Sequence, residues 1–112
     1  MRNKNDLADK FEINFFSKHC GECRTYSALQ LACAKSFERD PTVKEFATNV
    51  PMIGTEYTTD FLITYQSGDI MARECIRLED YETPVGQHLM EQSKEYWINH
   101  GIRHWGLVVE TN

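Results

Sequence analysis

Two carboxylates, Asp60 and Glu74, stand on neighbouring strand-like segments. Acids brought together in that way suit a hard divalent cation. Mg2+ prefers oxygen ligands in octahedral geometry, so Asp60 and Glu74, with backbone carbonyls and waters, make a candidate site for one ion. Strand side chains alternate, which puts Glu74 and Ile76 on the same face as Ile70 and Ala72. Ile76 therefore neighbours the acids and brings no charge. It can neither orient a water nor stabilise negative charge developing beside them, a kind of stabilisation worth ~3 kcal/mol or more per group. The plain competing readings are an Asp60 that caps a strand start or turn and a Glu74 paired with an arginine.

His19-Cys20-Gly21-Glu22-Cys23 offers a second chemistry. A C-x-x-C turn presents two thiolates at zinc spacing, and His100 and His104 could complete a tetrahedron. One such pair, with its histidines far along the chain, carries little weight for Zn2+. The expected state is a turn with reduced Cys20 and Cys23, and Cys33 and Cys75 as small core residues.

The elements that must position these groups follow from periodicity and punctuation. Residues 1–10 are polar and expected to fray, leaving residues 11–112 as one domain. Phe11 to Phe15 alternates as a half-buried strand, and Lys18 to Glu22 reads as a turn around Gly21. Ser27 and Gln30 form an S-x-x-Q capping box, opening a helix whose stripe is Leu29, Cys33, Ser36 and Phe37 and whose end is Asp40-Pro41. On that helix Gln30, Cys33, Ala34 and Phe37 share a face. Val43 to Phe46 and Val50 to Ile53 suggest strand interrupted at Asn49 and Pro51, bent or on an edge. Asp60 to Tyr65 and Asp69 to Leu78 form a hairpin, with Gly68 supplying positive φ. Thr83-Pro84 starts a second helix with Val85, Leu89, Ser93, Tyr96 and His100 at helical spacing, and Gly101 stops it. Trp105 to Val109 then reads as a strand covered on both faces. The order predicts an α/β domain with a mixed sheet flanked by helices.

That α-β-β-β-α-β order, with its acids on the central hairpin, resembles the common core of the PD-(D/E)xK restriction-endonuclease-like superfamily. More narrowly, residues 20 to 110 resemble the N-terminal catalytic domain of TnsA, the endonuclease subunit of heteromeric transposases. The resemblance rests on Ser27-Ala28-Leu29-Gln30-Leu31-Ala32, Phe37-Glu38-Arg39-Asp40-Pro41-Thr42-Val43, Thr59-Asp60-Phe61-Leu62-Ile63, and Tyr96-Trp97 followed by Gly101-Ile102 and Trp105. It implies a metal-dependent DNA endonuclease in which Gln30 falls on the helix carboxylate, Asp60 on the strand aspartate, Glu74 on the next acidic or amide position and Ile76 on the catalytic lysine. Two of those four roles are chemically altered. A migrated cation could come from Lys94 on the second helix, or from Arg77 if a bulge at Cys75 reversed its face. The plain reading of Lys94 is a solvated helix residue paired with nearby acids, and that of Gln30 a capping partner of Ser27.

A net charge of −5 argues against a freestanding general nucleic-acid binder, although Lys35, Arg39 and Lys44, or Arg73, Arg77 and Arg103, could form local basic patches. No run of about 18 apolar residues is present, and the start lacks the apolar core of a secretory leader, so a cytoplasmic location without membrane contact is expected. Trp97 and Trp105 are expected in the core rather than as base-stacking platforms. These readings point to a TnsA-like domain with a degenerate site, binding DNA or a protein partner in a transposon or phage system; a transposase subunit is the partner the resemblance implies. The alternatives are an active Mg2+-dependent endonuclease with a migrated lysine and an acidic inhibitor or assembly protein using the fold as scaffold.

Overall fold

The computed structural model describes residues 10–111; the expected frayed start lies mostly outside them. Gly68, at φ +92°, makes the turn that folds β4 (Thr58–Tyr65) back on β5 (Ile70–Arg77). On its other edge β4 pairs antiparallel with β3 (Val43–Pro51), and β6 (His104–Glu110) runs parallel to β5. The mixed four-stranded sheet therefore has the order β3-β4-β5-β6. A separate small ribbon pairs β1 (Glu12–Asn14) with β2 (Cys23–Thr25). Helix α1 (Ala28–Arg39) precedes β3, while the single-turn α2 (Leu78–Tyr81) and α3 (Pro84–Asn99) link β5 to β6.

Two separate apolar clusters hold the helices to the sheet. Cys33, Ala34 and Phe37 of α1 pack with Phe46, Phe61, Ile63 and Cys75, where Phe37 meets Phe61 edge-on at 5.0 Å. Met90 and Trp97 of α3 pack with Met52, Tyr57, Ala72 and Ile76. Both helix starts follow from their caps: Ser27 Oγ accepts from the Gln30 N–H, and Thr83 Oγ1 accepts from the Gly86 N–H with Pro84 in the first turn.

Several local expectations change. β3 is one continuous strand because Asn49 takes a left-handed φ of +53° without ending the pairing. The strand at Phe11 to Phe15 is shorter than expected, and Phe11, Ile13 and Phe15 are exposed, Phe15 at 75%. The α3 stripe is shifted: Gly86, Met90, Ser93 and Trp97 are the buried residues, while Val85 is exposed. In α1 the buried set is Gln30, Cys33, Ala34 and Phe37, with Ser36 outside. β6 lies at the sheet edge, with one strand neighbour, and is only half-buried. Trp97 is in the core as expected; Trp105 is partly buried beside it.

The loop before β2 is fastened to the end of α1 by the Glu38 carboxylate. Glu38 accepts from the Ser17 hydroxyl at 2.5 Å and from the N–H groups of Ser17 and Lys18. The Ser17 hydroxyl first, then these backbone donors, hold the Glu38 carboxyl below its ordinary value of 4.5 despite some desolvation. The Thr42 hydroxyl and N–H do the same for Asp40. A carboxylate whose pKa is lower in the folded chain contributes stability above its unfolded value, and that contribution is lost as pH falls through the folded one. Stability should therefore decline as pH drops below 4.5. Glu38→Gln should flatten that acid limb, measured by urea unfolding at about pH 6 and about pH 3. A second expectation concerns Gly86. Gly→Ala in a helix ordinarily stabilises by up to ~1 kcal/mol, but a Cβ here would collide with the Asp80 carbonyl. Overpacking against backbone wins, and Gly86→Ala should lower the urea midpoint by the equivalent of ~1–3 kcal/mol.

Candidate functional site

The antiparallel ladder between β4 and β5 runs from Thr64↔Ile70 to Phe61↔Arg73 and stops there. Beyond it each strand stays with its other neighbour: β4 pairs with β3 as far as Pro51↔Thr58, and β5 with β6 as far as Arg77↔Glu110. The sheet forks at this point, and backbone donors in the crotch lose their strand partners. Buried N–H groups must be satisfied. Asp60 and Glu74, one from each strand, do so: the Cys75 N–H donates to Asp60 Oδ2 at 2.7 Å, and the Asp60 N–H donates to Glu74 Oε1 at 3.2 Å.

Side chains from four further elements and loops close around the pair. Glu74, with 0% of its surface exposed, also accepts from the Tyr57 hydroxyl at 2.9 Å and from the Ser93 hydroxyl of α3 at 2.6 Å. Ser93 is in turn held by the Trp105 indole N–H at 3.0 Å. Asp60 receives the Gln30 amide of α1 at 3.4 Å, and the same amide donates to Asn49 Oδ1 at 2.9 Å. Asn49 completes the link by donating to the Arg24 carbonyl, so α1, β2, β3 and β4 are joined through one amide pair. Trp97 Nε1 donates to Thr59 Oγ1 at 2.6 Å beside them.

The sequence-derived candidates thus divide. Gln30, Asp60 and Glu74 belong to one buried network, as their common burial shows. Gln30 does cap the helix with its N–H, but its side-chain oxygen accepts from the Tyr26 N–H instead of reaching back to Ser27. Glu74 takes hydroxyl and backbone amide donors. Ile76 is 3% exposed and packs with Met52, Tyr57, Met90 and Trp97. Lys94 is exposed on α3 and lines a recess of about 230 Å³ with Tyr81, Met90, Trp105 and Leu107; neither acid lines it. Arg77 has no bulge to turn it, because β5 keeps register with β6 from Met71 through Arg77; its guanidinium pairs with Glu79 at 2.5 Å. Arg73, from the same expected basic patch, extends over Gly106 and towards the Phe37 ring. Tyr57, Ser93 and Asn49 join the site through contacts distant in the chain. The available signal was Ser93, a small hydroxyl one turn from both Met90 and Trp97 on α3.

The donor set can be tested against the metal that the sequence resemblance implies. Mg2+ dehydrates reluctantly and keeps several waters. Both Glu74 oxygens accept hydrogen bonds, its surface is wholly covered, and Ile76 fills the neighbouring space with hydrocarbon. As folded, this set does not fit a hydrated Mg2+. Among the described residues no cluster of three or more His, Cys, Asp or Glu side chains is gathered for a metal. The C-x-x-C cysteines part company: Cys20 is exposed, while Cys23 is buried with its Sγ 3.9 Å from Thr48 Oγ1, and burial pushes its thiol pKa up.

No protein-family model and no curated protein matches the chain. The polar fork can be tested directly as a structural unit. Ser93→Ala removes a donor from wholly buried Glu74 and leaves the Trp105 N–H without its acceptor. It should cost ~1–3 kcal/mol in equilibrium unfolding, the usual penalty for a buried polar group that loses its partner.

Proposed function

We propose that this chain is a nuclease-fold domain of the TnsA-like kind in which the catalytic centre has become a structural hydrogen-bond plug. Its work is recognition, of DNA or of a protein partner, rather than strand cleavage. The observation that carries this reading is Glu74: fully enclosed, it accepts from Tyr57, Ser93 and the Asp60 backbone, and the next residue on its strand face is the buried Ile76. Phosphodiester hydrolysis needs an activated water and cationic stabilisation at the phosphate, each reachable by the substrate. A buried isoleucine supplies neither. The resemblance supports a setting in a transposon or phage system beside a transposase-type subunit.

Charge helps to rank the two recognition modes. Phosphate contacts are the main sequence-independent attraction for nucleic acid, and a net charge of −5 works against them. A protein partner is therefore the favoured form of the proposal. Supercoiled plasmid incubated with the protein and Mg2+ or Mn2+ should show no nicking above that of Asp60→Ala. Nicking that vanishes in both Asp60→Ala and Lys94→Ala would establish an active endonuclease with a migrated lysine. A gel shift that weakens steeply as salt rises would identify DNA as the recognised partner; no shift at low salt would leave the protein-partner form.

A further inference from the structure

We propose that Cys33 and Cys75 form an oxidation site at which a small peroxide closes a disulfide between α1 and β5. The two thiols lie 42 residues apart in sequence, yet the fold sets their Sγ atoms 3.2 Å from each other. A bonded pair sits at about 2.0 Å, so bond formation needs a sulfur displacement of only about 1 Å. The C-x-x-C motif is differently arranged, since Cys20 is exposed and Cys23 is buried against Thr48. Proximity thus favours the pair that the sequence does not advertise.

The surroundings select the oxidant. Cys33 is 9% exposed and Cys75 3%, an enclosure that excludes bulky disulfides such as oxidised glutathione and admits hydrogen peroxide. Cys33, the more accessible of the two, reacts first. Its sulfur attacks one peroxide oxygen and the O–O bond breaks; the departing hydroxide takes up the thiol proton as water, leaving a sulfenic acid on Cys33. The Cys75 sulfur then attacks the Cys33 sulfur, the S–O bond breaks, and hydroxide leaves with the Cys75 proton as a second water. Two thiols lose two electrons and one peroxide is reduced to two waters, so the step balances.

Closure would act on the forked sheet. The Cys75 N–H is the donor to Asp60 Oδ2, and Cys33 lies one turn after Gln30, whose amide meets Asp60 Oδ1. A disulfide between them fixes α1 to β5 at the two sides of Asp60 and rigidifies the network without adding to it.

The experiment treats the full chain with hydrogen peroxide, then alkylates and digests it for mass spectrometry, alongside the variant Cys20→Ser, which changes an exposed residue and removes the C-x-x-C pair. The expected result in both is loss of the mass of two hydrogens, a linked peptide containing Cys33 and Cys75, and a Tm raised by about 10 °C that dithiothreitol reverses. Slower amide exchange at Cys75 in the oxidised chain is the companion signal. The proposal is overturned if Cys33 and Cys75 remain alkylatable while Cys20 and Cys23 become linked, or if Cys33 proceeds to the sulfinic acid with no cross-link. Because Cys20 is exposed and Cys33 and Cys75 stay in place, the result does not depend on a core substitution that prevents folding.

Discussion

The forked sheet is the constraint on which the remaining structure depends. β4 and β5 belong to one hairpin, but past Phe61 and Arg73 each follows a different neighbour, β3 on one side and β6 on the other. Twist accumulates between strands, and a sheet that opens must find acceptors for the N–H groups it releases. A carboxylate is the strongest small acceptor a strand can carry, and Asp60 and Glu74 each take a backbone donor at the fork. The usual alternation breaks at the same place. Phe61 and Ile63 pack on the α1 side and Leu62 against the α3 side, whereas Thr59 meets Trp97 of α3 and Asp60 reaches Gln30 of α1.

Both helices are chosen by this fork as much as by apolar burial. Each offers a largely apolar stripe with one polar side chain set into it, Gln30 in α1 and Ser93 in α3. An apolar residue at either position would add buried area yet leave an acid less satisfied, and a buried polar group that loses a hydrogen bond costs as much as a methylene or two contributes. The polar contacts therefore fix where along the sheet each helix sits, while the two clusters supply most of the adhesion. Asn49 extends the same logic into β3. Strand register places it opposite Asp60, between the pairs Thr48↔Phe61 and Val50↔Thr59, and its left-handed backbone turns its amide towards Gln30 and the Arg24 carbonyl.

Features with a local cause were legible in the sequence. Ser27 and Thr83 as caps, Gly68 and Gly101 at positive φ, Asp40 as the end of α1 and the β4–β5 hairpin depend on residues within a few positions of each other. β2 and α2, with three and four residues, are too short to show a period. The phase of α3 is legible only in part, because Val85 is apolar yet exposed and Leu89 and Tyr96 pack at the margin of the core, while Gly86 lies inside against Asp80. Asp60, Glu74 and Gln30 were found through their residue types, but what they do was not. That depends on Tyr57, Ser93 and Asn49 arriving from 17, 19 and 19 positions away along the chain.

The residues at the fork are chemically consistent with one another. Metal-dependent chemistry requires acids left short of partners, so that they have lone pairs to give to a cation, and such a site carries an energetic cost when empty. Here Glu74 is saturated by hydroxyls and an amide, which removes that cost and removes the ligand as well. Ile76 then suits its surroundings: a lysine there would have to desolvate an ammonium among Met52, Met90 and Trp97. A lysine at position 76 would consequently bury a charge in an apolar cluster. The plug and the isoleucine form one solution, in which the acids that could have bound an ion instead hold open the sheet and seat both helices upon it.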